Sequence, residues 1–138
     1  MSAPSAEIRL KWVIVVDDQL PKGLAANAAV CVAAATAVGN PGLLGADGKD
    51  ASGGVHPGLP WAGCSILGAP REQLAVIREQ AGADIFVADM PVAAQATRVY
   101  DEYLAALGAD DAPSYLAVSL IGPRNRVDKL VKRLPLLQ

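Results

Sequence analysis

The sequence predicts an α/β domain of three layers, α/β/α, with a central, mostly parallel or mixed four-stranded sheet. Predicted strands alternate with predicted helices along the chain, which is the pattern of layered α/β folds. The first and last of these strands are nearly continuous apolar runs, as expected when helices cover both faces of a sheet. With 138 residues, 52% of them apolar, the chain has the size and composition of a single domain spanning residues 1–138.

The first strand–helix unit gives the strongest local signal. Residues 9–16 end in the run Trp12-Val13-Ile14-Val15-Val16, whose β-branched side chains favour a strand. A turn over 17–23 follows. A helix is expected over 24–38, because Gly39-Asn40-Pro41 is typical of a helix end.

A long stretch rich in glycine and proline comes next, over residues 39–61. It contains an Asp47-Gly48 turn, which favours a small hairpin, and His56, the only histidine of the chain. Loops of this length in compact domains are usually functional or flexible. A lone loop histidine is most often a solvated group, and the alternative is that His56 folds over a site.

Three more strand–helix units complete the domain. The second strand is expected over 63–67, and the helix after it begins at Pro70. The third strand is expected over 84–88, and the helix after it is expected over 92–107. The fourth strand is expected over 115–121. Gly122-Pro123 then turns the chain into a last helix over 125–134.

Ligands of such sheets gather where the ends of strands feed loops. We therefore expect the segments 17–23, 89–91 and 122–126 to share one crevice. Asp17 and Asp18 follow the first strand directly, and adjacent acids at a turn are usually solvated.

A candidate anion or carboxylate pocket is formed by Lys22 and Gly23 in the first turn, Asn27 near the beginning of the following helix, and Arg124 in the last turn. The first turn of a helix has free backbone N–H groups that attract anions. Asn27 is the polar exception on an apolar helix, so its amide should bond either a backbone group or a ligand.

Both ends of the chain resemble the type-II peptidyl-tRNA hydrolases. The first match is the strand Lys11-Trp12-Val13-Ile14-Val15-Val16 with the following Lys22-Gly23 turn and helix, and the second is Leu120-Ile121-Gly122-Pro123 with the last helix. The middle is more similar to domain-of-unknown-function family number 2000, through residues 23–29, 45–61 and 100–103. The resemblance implies the hydrolase fold.

The resemblance carries over little of the hydrolase chemistry. Val30 stands where those enzymes have histidine, and Asn27 where they have glutamine. Lys22 lies near their turn lysine and Asp89 can represent their aspartate, so these two are the candidate catalytic residues. Their threonine has no counterpart at the same spacing. Imidazole is the natural general base near neutral pH, and valine cannot replace it.

The composition and charge of the chain limit the classes of partner that we expect it to bind. A net charge of −2 and a pI near 5.2 disfavour a general nucleic-acid binder, so tRNA enters only through the resemblance. Five basic residues against one acid after Gly122 suit either an anionic partner or a helix end. Cys31 and Cys64 have no metal spacing, and we expect neither metal nor cofactor. We expect a cytoplasmic protein without a signal peptide or a membrane partner.

Three hypotheses remain open from the residues. The first is a domain that binds a small anion, peptide or acyl group among Lys22, Gly23, Asn27, Asp89 and Arg124, with His56 as a further candidate ligand-binding residue. The second is a hydrolase of aminoacyl or peptidyl esters. The third is a homodimer that packs through its small-residue helix and its Gly-rich loop.

Overall fold

The computed structural model describes residues 9–138, and its centre is a mixed four-stranded sheet. The strands of this sheet are β1 (Leu10–Asp17), β4 (Ser65–Ala69), β5 (Phe86–Pro91) and β6 (Tyr115–Pro123), in the order β4-β1-β6-β5. β1 and β4 are parallel, while β6 is antiparallel to both β1 and β5. The expectation of a four-stranded mixed sheet is confirmed.

Helices lie on both faces of this sheet. The helices are α1 (Lys22–Gly39), α2 (Arg71–Gln80), α3 (Ala93–Ala96), α4 (Tyr100–Gly108) and α5 (Arg124–Leu130). Side chains alternate along β1, so Ile14 and Val16 pack under α1 while Val13 and Val15 pack under α2 and α5. All four of these β1 residues are at most 2% exposed, which explains the continuous apolar run.

A chain of buried hydroxyl groups ties α1 to the sheet. Trp12 Nε1 donates to Ser119 Oγ at 2.8 Å, and Ser119 Oγ lies 2.7 Å from Thr36 Oγ1. Thr36 Oγ1 in turn donates to the Val32 carbonyl oxygen. Every polar atom of this chain therefore has a partner, as burial requires.

The Gly-rich segment contains a hairpin, formed by β2 (Gly48–Lys49) and β3 (Val55–His56). The turn predicted at Asp47-Gly48 is wrong, because Gly48 belongs to β2 and the chain reverses over residues 50–54. Its tip is closed by the Asp50 carboxylate, which accepts hydrogen bonds from the Ser52 and Gly54 backbone and from the Ser52 hydroxyl. These bonds and the one with His56 hold the pKa of Asp50 well below its usual range. The segment is thus an ordered hairpin.

The predicted helix over 92–107 is wrong as a single element. The chain forms two helices, α3 and α4, separated at Thr97, whose backbone is extended. The apolar positions of the predicted helix are covered only in part: Val92 packs against the core, whereas Val99 is 56% exposed and α4 has no fully buried side chain. A three- to four-residue periodicity showed an apolar face without showing whether anything covers it.

The predicted turn at Gly122-Pro123 is also wrong. Both residues continue β6, where Gly122 pairs with Lys11 and Pro123 with Leu10. A Cβ on Gly122 would lie 2.9 Å from the Asp84 carbonyl oxygen, so glycine allows two backbones to approach closely. The strand ends beside the beginning of β1.

The C-terminal segment covers the outer edge of β4. Gly68 N donates to the Pro135 carbonyl, and Leu137 N donates to the Ile66 carbonyl. This pairing leaves β5 as the edge strand on the other side of the sheet.

Candidate functional site

Lys22, Gly23 and Asn27 all lie at the exposed beginning of α1. Lys22 borders a groove of about 360 Å³ whose other walls are mainly apolar, including Ile66 and Leu137. Asn27 was expected to bond a backbone group or a ligand; it is exposed, and its Oδ1 instead accepts a hydrogen bond from the side chain of Gln95, with Nε2 at 3.1 Å. The helix is apolar on its solvent side too, so apolar neighbours did not imply burial.

Arg124 lies at the opposite end of the strands from Lys22. The prediction that Arg124 shares a crevice with the other candidate residues is therefore wrong. Because β6 runs antiparallel to β1, the end of β6 lies beside Leu10 and not beside Asp17. Arg124 borders a separate groove with Arg9 and Asp128. The structure brings Arg124 together with none of the other candidate residues.

His56 lies on the exposed hairpin, where its Nε2 is 2.7 Å from Asp50 Oδ2. The hairpin joins the C-terminal end of α1 to the beginning of β4, whereas Lys22 is at the N-terminal end of that helix. The 18 residues of α1 separate these ends by roughly 27 Å. Among residues 9–138, the side-chain hydrogen bond described for His56 is with Asp50 of its own hairpin, and His56 does not line the groove beside Lys22.

Asp89 lies on β5 and points towards α2. Its Oδ2 accepts a hydrogen bond from Arg78 Nε at 2.7 Å, and its side chain is 20% exposed. The Arg78 guanidinium also lies over the Tyr115 ring, 5.2 Å from the centroid. Since Lys22 belongs to the α1 layer on the other face, Lys22 and Asp89 border different grooves and form no pair.

A second arginine–aspartate pair lies on the same face as the Asp89 pair. Asp17, at the end of β1, is only 2% exposed, and its Oδ2 accepts a hydrogen bond from Arg71 Nε at 2.7 Å. Its other oxygen accepts the Gln19 backbone N–H. The expectation that both acids at this turn are solvated is thus wrong for Asp17, because Arg71 neutralises its charge as the chain buries it.

The arginines of the two pairs, Arg71 and Arg78, border one groove, which lies between α2 and the loop before β6. Its volume is about 540 Å³. The residues that line it are Arg71, Glu72, Ala75, Arg78, Glu79, Ala112, Pro113, Ser114 and Tyr115. Arg71 and Arg78 are two helical turns apart on one side of α2, about 10 Å along its axis. Each is held at Nε by an aspartate of a strand.

This arrangement fixes two guanidinium groups at the edge of the sheet. The hydrogen bond from Arg78 to Asp89 raises the pKa of the guanidinium above its already high ordinary value, so Arg78 is charged at neutral pH. An arginine held at Nε can still offer its two terminal nitrogens to a carboxylate or phosphate. The groove therefore has the chemistry to bind an anionic group.

Sequence reasoning found the two aspartates and missed the two arginines. Asp17 and Asp89 are both at or near strand ends, which are the positions that the sequence singles out. The available signal for the arginines was the spacing of seven residues between Arg71 and Arg78, which places both on one side of a helix. That spacing does not show which side of the helix faces the sheet.

A second groove, of about 450 Å³, begins at Asp89 and runs along the β5 edge between α1 and α4. Met90, Cys31, Tyr100 and Tyr103 are among its walls. Burial raises the pKa of Tyr103, and the negative charge of Asp89 raises it further.

Within residues 9–138, no group of three or more His, Cys, Asp and Glu side chains is arranged to hold a metal ion.

Comparisons with known proteins define the family but no activity. The model of DUF2000, described as a protein of unknown function, matches residues 10–138. A solved structure from Agrobacterium tumefaciens strain C58, also described as a protein of unknown function, superposes with a TM-score of 0.85. It is 18% identical, and the match covers 93% of this chain and 97% of the other. None of the curated protein sequences matches the chain significantly. The chain belongs to the DUF2000 family.

Proposed function

We propose that this protein binds a small molecule or peptide terminus through a carboxylate or phosphate group, and that Arg71 and Arg78 hold this group in the groove beside α2. The single observation that carries the proposal is the double arginine–aspartate arrangement. Both guanidinium groups are fixed at Nε by Asp17 and Asp89 and border the same groove. Because both side chains are already held in place, binding a ligand costs less of their conformational entropy.

The charges around the groove favour a small ligand over a polyanion. Glu72 and Glu79 also border it, and the chain has a net charge of −2. A nucleic acid would bring many phosphates close to these acids, whereas one carboxylate or phosphate can contact the arginines alone. tRNA is therefore not the ligand that this groove favours.

The likeness of both chain ends to the type-II peptidyl-tRNA hydrolases supports assigning their fold to this domain as part of the proposal. Ester hydrolysis is the less favoured function. It requires a base beside the substrate, and Val30, at the position of their histidine, is 66% exposed on α1. The substrate N-acylaminoacyl-tRNA tests it directly: turnover above that of buffer, abolished by Lys22→Ala, would establish the hydrolase.

Calorimetric titration with inorganic phosphate and with N-acetylglycine tests anion binding. We expect one of these probes to bind at one site per chain, and Arg78→Gln to weaken that binding about tenfold or more, since a charged hydrogen bond contributes ~1.5–3 kcal/mol. Arg126→Gln is the matched control. Arg126 bonds Asp84 and is exposed to a similar extent, but it does not line the groove.

Two results would overturn the proposal. One is that neither probe gives heat of binding or shifts the melting temperature. A ligand at a hundred times its Kd stabilises the folded protein by about 2.7 kcal/mol and should therefore raise the melting temperature. The other is an equal loss of affinity in Arg78→Gln and Arg126→Gln, which would indicate attraction by general positive charge.

A further inference from the structure

The solvent side of α1 is apolar apart from Asn27 and, at its first residue, Lys22. From Gly23 to Gly39 the helix has no charged residue, and only four of its 18 side chains are buried. Leu24, Val30 and Val38 are 45%, 66% and 84% exposed. A helix on the surface of a globular protein normally has a polar outer side, and a helix that is apolar all round is normally covered.

The apolar surface continues onto α4. Cys31 and Ala35 of α1 border the groove along the β5 edge, and Val99 and Tyr100 border it from the other side. Tyr100 is 71% exposed and Leu104 is 48% exposed. We name the outer side of α1 together with these α4 residues the α1 surface.

Its size suits a protein interface. The exposed half of α1 is a half-cylinder about 27 Å long and ~5 Å in radius, which presents on the order of 400 Å². That is half of the roughly 800 Å² that each partner contributes to an interface of standard size. Val99, Tyr100 and Leu104 enlarge it towards that value.

We propose that a second copy of this chain covers the α1 surface, with the two α1 helices packed against each other across a two-fold axis. A two-fold interface joins the same surface from both copies, so it is unfavourable where that surface is charged. α1 is uncharged beyond Lys22, so the contact brings no like charges together. The alanines at 26 and 34, both exposed, let two helix backbones approach closely.

The position of Val30 agrees with this symmetry. The midpoint of α1 lies between Val30 and Cys31, so an antiparallel pair of helices centred there places both residues near the two-fold axis. An antiparallel pair also sets the positive end of one helix beside the negative end of the other. Val30 then becomes the most deeply buried contact.

A lipid bilayer is the other apolar surface that α1 could meet. By length and composition α1 is long and apolar enough to cross a membrane, the one such helix among residues 9–138. Its inner side, however, belongs to the core: Ala28, Val32 and Thr36 are at most 1% exposed, and Thr36 bonds Ser119. Helices that lie on membranes are usually rich in Lys and Arg on their polar side, and α1 has Lys22 alone.

Sedimentation velocity over about a hundredfold range of concentration tests the proposal. We expect a dimer for the natural sequence and a monomer for Val30→Glu, with a dissociation constant raised at least ~100-fold because the carboxylate would be buried without a partner. Val76→Glu is the matched control. Val76 is 47% exposed on α2, outside the α1 surface, and this variant should remain dimeric.

Other outcomes decide against a second copy. The proposal is overturned by a monomer at every concentration, by dissociation of Val76→Glu to the same extent, or by dimers that persist in both Val30→Glu and Val38→Glu. Should Val30→Glu fail to fold, Val38→Glu carries the same expectation. Flotation of a monomeric protein with phosphatidylglycerol vesicles, lost in Val30→Glu, would instead assign the surface to a membrane.

Discussion

The indole nitrogen of Trp12 donates a hydrogen bond to the hydroxyl of Ser119, 2.8 Å away, between two adjacent strands of the buried sheet. Ser119 is completely buried, and its hydroxyl also contacts that of Thr36 on α1. These two hydrogen bonds fix the position of α1 over the β1–β6 pair. Dispersion contacts between small side chains alone would determine that position only loosely.

Replacing Ser119 by alanine should therefore destabilise the protein by about 2 kcal/mol, since the Trp12 N–H would be buried without an acceptor. Urea unfolding followed by Trp fluorescence measures the change. Thr97→Val removes a hydroxyl that is only partly buried and bonds the Ala93 carbonyl, so it should cost much less. Equal losses in the two variants would contradict the importance of the buried chain.

Removing Arg71 should be more costly than removing the hydroxyl. In Arg71→Gln, the carboxylate of Asp17 stays buried without its cation, and we expect a loss of about 3 kcal/mol, the lower end for a broken buried pair because Arg71 is itself 41% exposed. The double variant with Asp17→Asn should recover much of that loss. If the double variant is less stable than Arg71→Gln, the pair is not the cause.

Gly122 should not tolerate a side chain. The Cβ of Gly122→Ala would meet the Asp84 carbonyl oxygen at 2.9 Å and the Ile85 Cα at 3.2 Å, both of them parts of the backbone. We expect a loss of 1–3 kcal/mol, about the usual cost of overpacking. Gly48→Ala, where the added Cβ has no neighbour within 4 Å, is the control. Chemical denaturation of both variants compares them, and equal stabilities would argue against the close approach.

Cys64 should be unreactive while the protein is folded. Burial raises the pKa of its thiol to about 12, so at pH 8 the thiolate is roughly one part in ten thousand. In Cys31→Ser, iodoacetamide should leave Cys64 unlabelled in native buffer and label it fully in urea, as mass spectrometry can show. Between pH 8 and pH 10 the native rate should rise about tenfold per pH unit. Rapid labelling at pH 8 would contradict the burial.

Local pattern was enough for most secondary structure. The β-branched run of β1 predicted a strand covered on both faces, and Val13 and Val15 do contact one layer of helices while Ile14 and Val16 contact the other. Turn residues located the beginning of α2 after Pro70, and the glycine- and proline-rich composition of residues 39–61 indicated where a hairpin could form. These features depend on neighbours in the sequence, which is why periodicity and turn chemistry could predict them.

The candidate site was predicted only in part. The strand ends drew attention to Asp89, and Asp17 was expected to be solvated; the arginines that hold both acids come from α2. Val99 lies in a periodicity typical of a buried helix face and is exposed, and Asn27 is exposed among the apolar residues of α1. A sequence shows that a face is apolar and does not show whether this domain or a partner covers it.

By itself, the sequence determined the succession of strands and helices and the apolar faces that make a layered α/β domain. Only the tertiary structure decided that β6 runs antiparallel to β1. This direction places Arg124 at the other end of the strands, and the residues that meet Asp17 and Asp89 are Arg71 and Arg78 of α2. The physical reason is that a strand alternates its side chains in the same way whichever direction its neighbour runs. The direction is chosen by backbone pairing across the whole sheet, and with it the residues that share a groove.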